Sequence, residues 1–187
     1  GYTWSRAALE AGPGLPGQPS GRPDPPAAPE KNLVRNGGFE LADRDWARSR
    51  MCGQFEFAVD SSEAYRGKTS ARLRCAKLEP EEPERGWGRA WARWYQGKIP
   101  VEEGKTYRLR LWVKTSKVFG GRVAVWVTGA AELGTMTAEV HHTDGAWREV
   151  VIEDIMAAGE HVGLYLNLMA GVGTAWFDDV VLTEANP

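Results

Sequence analysis

From Lys31 onward the chain is built on a two-residue period, and that period decides its fold class. In the run Tyr107-Arg108-Leu109-Arg110-Leu111-Trp112-Val113, the residues Tyr107, Leu109, Leu111 and Val113 share one face, while Arg110 and Trp112 take the other. Arg122-Val123-Ala124-Val125-Trp126-Val127-Thr128 sends three valines inward and Trp126 outward, and Val162-Gly163-Leu164-Tyr165-Leu166-Asn167-Leu168 sends its even positions inward with Tyr165 and Asn167 outward. Turn residues separate these runs at Gly104-Lys105, Gly120-Gly121, Asp144-Gly145 and Gly171-Val172-Gly173. No segment keeps a helical period over three turns. The pattern predicts an all-β chain: a β-sandwich of two antiparallel sheets occupying residues 31–187, large enough for one core.

Residues 1–30 have a different texture. Proline and glycine punctuate them too often for a packed core or a continuous helix, so they read as an N-terminal extension or linker. Within it, Tyr2 and Trp4 alternate with Thr3 and Ser5 like a strand that could add to the edge of another sheet. The formal net charge of -2 supplies no field that would draw the chain to nucleic acid. No apolar run reaches the roughly 18 residues of a membrane span. The first residue is Gly1 rather than Met, which fits a chain trimmed after secretion or by design. Cys52 and Cys75 each lie within or beside a strand-like segment, and an oxidising compartment would let them bridge neighbouring strands; two buried thiols are the alternative. A metal role for them is disfavoured, because no C-x-x-C spacing is present.

Four passages, in chain order, carry a family resemblance. They are Asn32-Leu33-Val34-Arg35-Asn36-Gly37-Gly38-Phe39-Glu40, Ala64-Tyr65-Arg66-Gly67-Lys68-Thr69-Ser70-Ala71, Gly104-Lys105-Thr106-Tyr107 with the strand that follows, and Trp176-Phe177-Asp178-Asp179-Val180-Val181-Leu182. Together they resemble carbohydrate-binding modules of the family 4, 9, 16 and 22 type, which have a galactose-binding-like jelly roll. The resemblance implies a secreted or cell-surface, non-catalytic module with polysaccharide or another glycan as its partner. It also implies a structural calcium, Ca2+, held by Glu40, by Asp178 or Asp179, and by the stretch from Glu63 to Lys68. Calcium accepts such mixed carboxylate and carbonyl oxygens. By strand parity Asp178 shares a face with Val180 and Leu182, where a carboxylate would need a cation or hydrogen-bond donors. Ordinary turn and strand-end hydrogen bonds are the other reading of these acids.

The nine tryptophans exceed what a small core absorbs. If their strands lie in one sheet, Trp112, Trp126 and Tyr165 with Arg110 and Asn167 form an aromatic and polar face suited to stacking sugars and bonding their hydroxyls. Trp87, Trp91 and Tyr95 have one parity and Trp94 and Gln96 the other, so one of these sets should join that face. Arg93 beside Trp91 and Arg110 beside Trp112 could instead form cation-π stacks. Adjacent His141 and His142 would point to opposite faces, and Glu79, Glu81, Glu82 and Glu84 lie in a proline-broken loop, so neither group reads as a catalytic centre. Two functions remain: glycan binding through an aromatic face, or a structural subunit that polymerises into an extracellular filament or sheath through its N-terminal extension.

Overall fold

A computed structural model of the chain describes residues 31–78, 90–131 and 134–185. Ten strands follow in order: β1 (Ala47–Met51), β2 (Gln54–Asp60), β3 (Ser70–Lys77), β4 (Trp91–Pro100), β5 (Thr106–Phe119), β6 (Arg122–Ala130), β7 (Gly134–Val140), β8 (Arg148–Met156), β9 (His161–Met169) and β10 (Val172–Glu184). They form two five-stranded antiparallel sheets. The front sheet has the order β1-β4-β9-β6-β7 and the back sheet β2-β3-β10-β5-β8. No helix occurs among the described residues, so the all-β jelly-roll sandwich stands as the fold.

The period-two faces close on one another as the alternation requires. Tyr107, Leu109, Leu111 and Val113 from β5, the three valines of β6 and Val162, Leu164, Leu166 and Leu168 of β9 are all buried in the core. Between β4's two parities the apolar layer selects Trp94, which is fully buried and meets Phe39 and Phe57 edge-on at centroid distances of 6.1 and 5.5 Å. Its indole N–H donates across the sandwich to the carbonyl of Arg72 at 3.2 Å, so this large ring needs no unpaired polar atom inside.

The opening and closing motifs meet in space. Asn32 donates its amide to Val180 O at 2.9 Å, and its side-chain oxygen accepts from Leu182 N at 3.0 Å. Gly37 lies against the same strand: a Cβ there would collide with the Val180 carbonyl, so only glycine fits. Phe39, two residues on, stacks on Trp46 at 4.8 Å and enters the core.

Two expectations are corrected here. Cys52 and Cys75 are not joined by a disulfide. Cys75 faces the core from β3, with Phe55 and Gly173 as its cross-strand neighbours; its thiol donates to its own strand at Lys77 O, and burial pushes its pKa up. Cys52 instead occupies the corner between β1 and β2, with a positive φ of 50°. Asp178, moreover, does not share a face with Val180 and Leu182. The register of β10 against β5 slips between Asp178 and Val181, with Asp179 at a φ of 48°, so Asp178 pairs with Trp112 on the outer side while Val180 and Leu182 turn inward.

On the outer side of the back sheet, Asp60 accepts hydrogen bonds from Ser62, from the Trp176 indole at 2.9 Å and from Arg72 at 3.2 Å. Burial alone would raise its carboxyl, but the Ser62 and Trp176 hydrogen bonds, with the Arg72 charge, outweigh it and hold the pKa at about 2. The unfolded value is about 3.9, so this group contributes stability above that pH and loses it as the pH falls toward 2. Asp60→Asn is therefore expected to cost about 1–2 kcal/mol at neutral pH and to flatten the acid limb between pH 4 and 2. Melting temperatures of both proteins across that range check this; parallel acid limbs would contradict it.

Candidate functional site

The outer side of the front sheet carries an ordered aromatic array, and its arrangement follows from strand register. One row runs Tyr95 (β4), Tyr165 (β9), Trp126 (β6) and Thr137 (β7) on consecutive strands. The next row runs Ser49, Arg93, Asn167, Ala124 and Glu139, and a third brings Trp91, Met169 and Arg122 together. With strands about 4.8 Å apart and residues about 3.3 Å apart along each, the rings cover roughly 10 by 13 Å. Tyr95 and Tyr165 lie nearly parallel, 5.6 Å apart at 17°. Trp91, Arg93, Tyr95, Trp126 and Tyr165 are all half-buried, neither in the core nor free-standing. Such a surface offers ring faces and edges to a flat, extended ligand rather than a deep pocket to a small one.

Of the residues expected on one aromatic face, Trp91, Tyr95, Trp126, Tyr165 and Asn167 are brought together. Asn167 is 1 % exposed, and its amide donates to Ala124 O at 2.9 Å and Tyr165 O at 3.2 Å. That ties its amide to the backbone beneath the rings rather than to a ligand above them. Trp112 and Arg110 are not on this face. Their strand β5 pairs with β8 and β10 in the back sheet, so they point away from the opposite side of the sandwich. There Trp112 is covered by Tyr65, stacked at 3.8 Å and 12°, and Arg110 faces Asp179 at 3.7 Å and Glu149 at 3.7 Å. Strand parity tells inward from outward but not which sheet a strand joins. Arg122 and Glu139, ion-paired at 2.8 Å beside the rings, escaped the sequence reading, although the alternation of Thr135, Thr137 and Glu139 against Met136 and Ala138 marks that face of β7.

The expected calcium ligands divide. Glu40 accepts from Lys68 N at 2.7 Å and Thr69 N at 3.1 Å, and Asp178 accepts from Tyr65 N, Arg66 N and Asp179 N. Both side chains reach Gly38, whose added Cβ would lie 3.8 Å from Glu40 Cγ and 3.9 Å from Asp178 Oδ1. Gly67, at a φ of 72°, lets the segment after Tyr65 approach Glu40 where any Cβ would strike its carboxylate. Asp178 is fully buried, and desolvation raises its carboxyl to about 6 despite three backbone donors. A buried acid of this kind suits a cation. The other two carboxylates are engaged with cationic side chains: Glu63 pairs with Lys114 at 2.8 Å, and Asp179 sits between Arg66 and Arg110. Lys68 takes part through its amide N–H. Among the described residues no group of three or more His, Cys, Asp or Glu is arranged to hold a metal.

Tyr2, Trp4, Trp87 and the glutamates of residues 79–84 lie outside the described residues. His141, His142 and His161 are exposed on the surface, and His141 lies 3.9 Å from Glu139.

With this geometry in view, the likenesses to solved structures have a definite meaning. A carbohydrate-binding module, TmCBM61, solved in complex with β-1,4-galactotriose, superposes with a TM-score of 0.63 at 19% identity, over 83% of this chain and 99% of that one. The CBM22-1 xylan-binding domain of Paenibacillus barcinonensis Xyn10C gives 0.59 at 18% identity, over 87% and 99%. The fold is that of these modules. At such identities the likeness speaks of the module fold alone. The same module fold also matches 21% of the enzymatically active domain of tailspike protein 4 from bacteriophage CBA120, with a TM-score of 0.60 at 15% identity, so it also occurs within an enzyme. Neither the protein-family models nor the curated protein sequences give a match to this chain. These likenesses give no support to the filament reading.

Proposed function

We propose that the chain is a non-catalytic polysaccharide-binding module, acting outside the cell or at its surface, whose ligand lies across the outer face of the front sheet. The observation that carries this reading is the row Tyr95-Tyr165-Trp126, three rings in register on adjacent strands and only half-buried. Sugar C–H faces stack on such rings, while Ser49, Thr137, Glu139 and the arginines supply hydrogen-bond partners for hydroxyls. The rings are positioned from below by the core valines and leucines of β6 and β9, so little ordering remains to be done on binding. Affinity electrophoresis of the full chain through gels containing galactan, xylan, mannan or mixed-linkage glucan tests the reading. Retardation by at least one polymer supports it; free migration in a broad panel, acidic polymers included, overturns it.

A structural calcium belongs to the same proposal, held by Glu40 and Asp178 with backbone oxygens of the segments they join. Bound there, the ion would neutralise the buried Asp178 and pin the domain's start to its last strand. Saturating calcium is expected to raise the melting temperature of chelator-treated protein by about 5–10 °C, because the ion binds only the folded form. The increment should vanish in Glu40→Gln and Asp178→Asn. An identical midpoint with calcium and with chelator would contradict it.

A further inference from the structure

Arg93 stands at the centre of the proposed binding face, and its environment differs from that of its neighbours. Arg72 is paired with Asp60, Arg108 with Glu153 and Arg122 with Glu139, each within 3.2 Å. Among the described residues no carboxylate lies within ion-pair distance of Arg93. Its guanidinium is held by neutral contacts: it lies over the Trp91 ring at 4.0 Å and the Tyr165 ring at 5.1 Å, and its Nε donates to Ser49 Oγ at 2.9 Å. Those three contacts fix the plane of the group. Among the described residues they leave the two terminal nitrogens, with their four N–H bonds, without an acceptor. The charge is thus oriented, set between aromatic rings and, among the described residues, uncompensated.

An uncompensated, oriented guanidinium is a fork for a carboxylate, which it meets through two parallel charge-assisted hydrogen bonds. A neutral sugar hydroxyl uses that geometry poorly. Resting on the reading of this face as a glycan site, we infer that the face selects acidic polysaccharides, with Arg93 binding the carboxylate of a uronic acid residue whose neighbours stack on Tyr95, Tyr165 and Trp126. Arg122 is not an equivalent anchor, because Glu139 already occupies its guanidinium at 2.8 Å.

The test compares polygalacturonate, alginate and glucuronoxylan, each with its carboxyl-reduced counterpart, in which every uronic acid has become the neutral sugar. Dissociation constants for the full chain, measured at low ionic strength, should be about tenfold or more lower for at least one acidic polymer than for its reduced form. Arg93→Gln should remove the difference between the two forms. Arg93→Lys should retain part of it, since the charge remains and the fork is lost. Because Arg93 also braces two rings, the near-ultraviolet dichroism of each variant is recorded. If Arg93→Gln loses its fold, the wild-type preference and the Arg93→Lys variant still decide. Equal affinity for acidic and reduced forms, or an acid preference that survives Arg93→Gln, overturns this inference. In either case binding to the neutral polymers leaves the aromatic-face reading standing, whereas absence of binding to every polymer, charged or neutral, removes both.

Discussion

Replacing Trp126 with alanine is expected to weaken polysaccharide binding about 10- to 100-fold, and replacing Trp126 and Tyr165 together should abolish retention altogether. Both rings project from the front sheet and are half-buried, and they neighbour each other directly in the register of β6 against β9. A central aromatic anchor commonly carries about 1.4–2.8 kcal/mol of a binding free energy, which is one to two powers of ten. The cost to folding should be small by comparison, because neither side chain contributes to the sealed core. Trp112→Ala is the control of equal chemistry: it removes a tryptophan from the back sheet, on the far side of the sandwich, and should leave affinity unchanged. Binding lost with Trp112 and kept without Trp126 would place the site on the wrong sheet.

Trp94→Ala is expected to produce the opposite profile, with stability falling by about 3–5 kcal/mol. Trp94 lies on the face of β4 opposite to Trp91 and Tyr95, and it is fully buried while they are not. Its removal would leave a cavity between Phe39 and Phe57 and take away the indole donor to the Arg72 carbonyl. A marginal domain has only about 5–15 kcal/mol in hand, so the variant should unfold at markedly lower denaturant concentration. A midpoint within error of wild type would show that the ring does not seal the core.

These two predictions also mark how far the sequence could be read. The inward sets of β5, β6 and β9 were legible, because a strand with one buried face must alternate. The choice between Trp91 and Trp94 was not, since both parities of that run carry aromatic rings and only the packing around Phe39 settles it. Parity also could not show that β5 and β6, neighbours in sequence, cross from one sheet to the other at Gly120-Gly121; that crossing carries Trp112 and Arg110 away from Trp126. The same limit explains Asp178. A single slipped residue with positive φ at Asp179 reverses the faces beyond it, and nothing in the alternation of Trp176 to Leu182 announces the slip. The cysteine pair misled for a related reason: spacing between strands carries no information on whether two thiols face the same layer. Motif meaning fared better at the domain's ends, where the polar Asn32 and the glycine at 37 have steric and hydrogen-bonding tasks that any strand pairing there would impose.

The most direct test of the central claim is a titration of the isotopically labelled chain with an oligosaccharide from the best-retained polymer, following the indole N–H resonances of its tryptophans. Trp91 and Trp126 lie on the front sheet's outer face, whereas Trp112, Trp147 and Trp176 lie on or against the back sheet. The account predicts that the Trp91 and Trp126 signals move with saturable dependence on ligand while the Trp112, Trp147 and Trp176 signals stay in place. Saturable movement of the back-sheet indoles, with Trp91 and Trp126 unmoved, would contradict it.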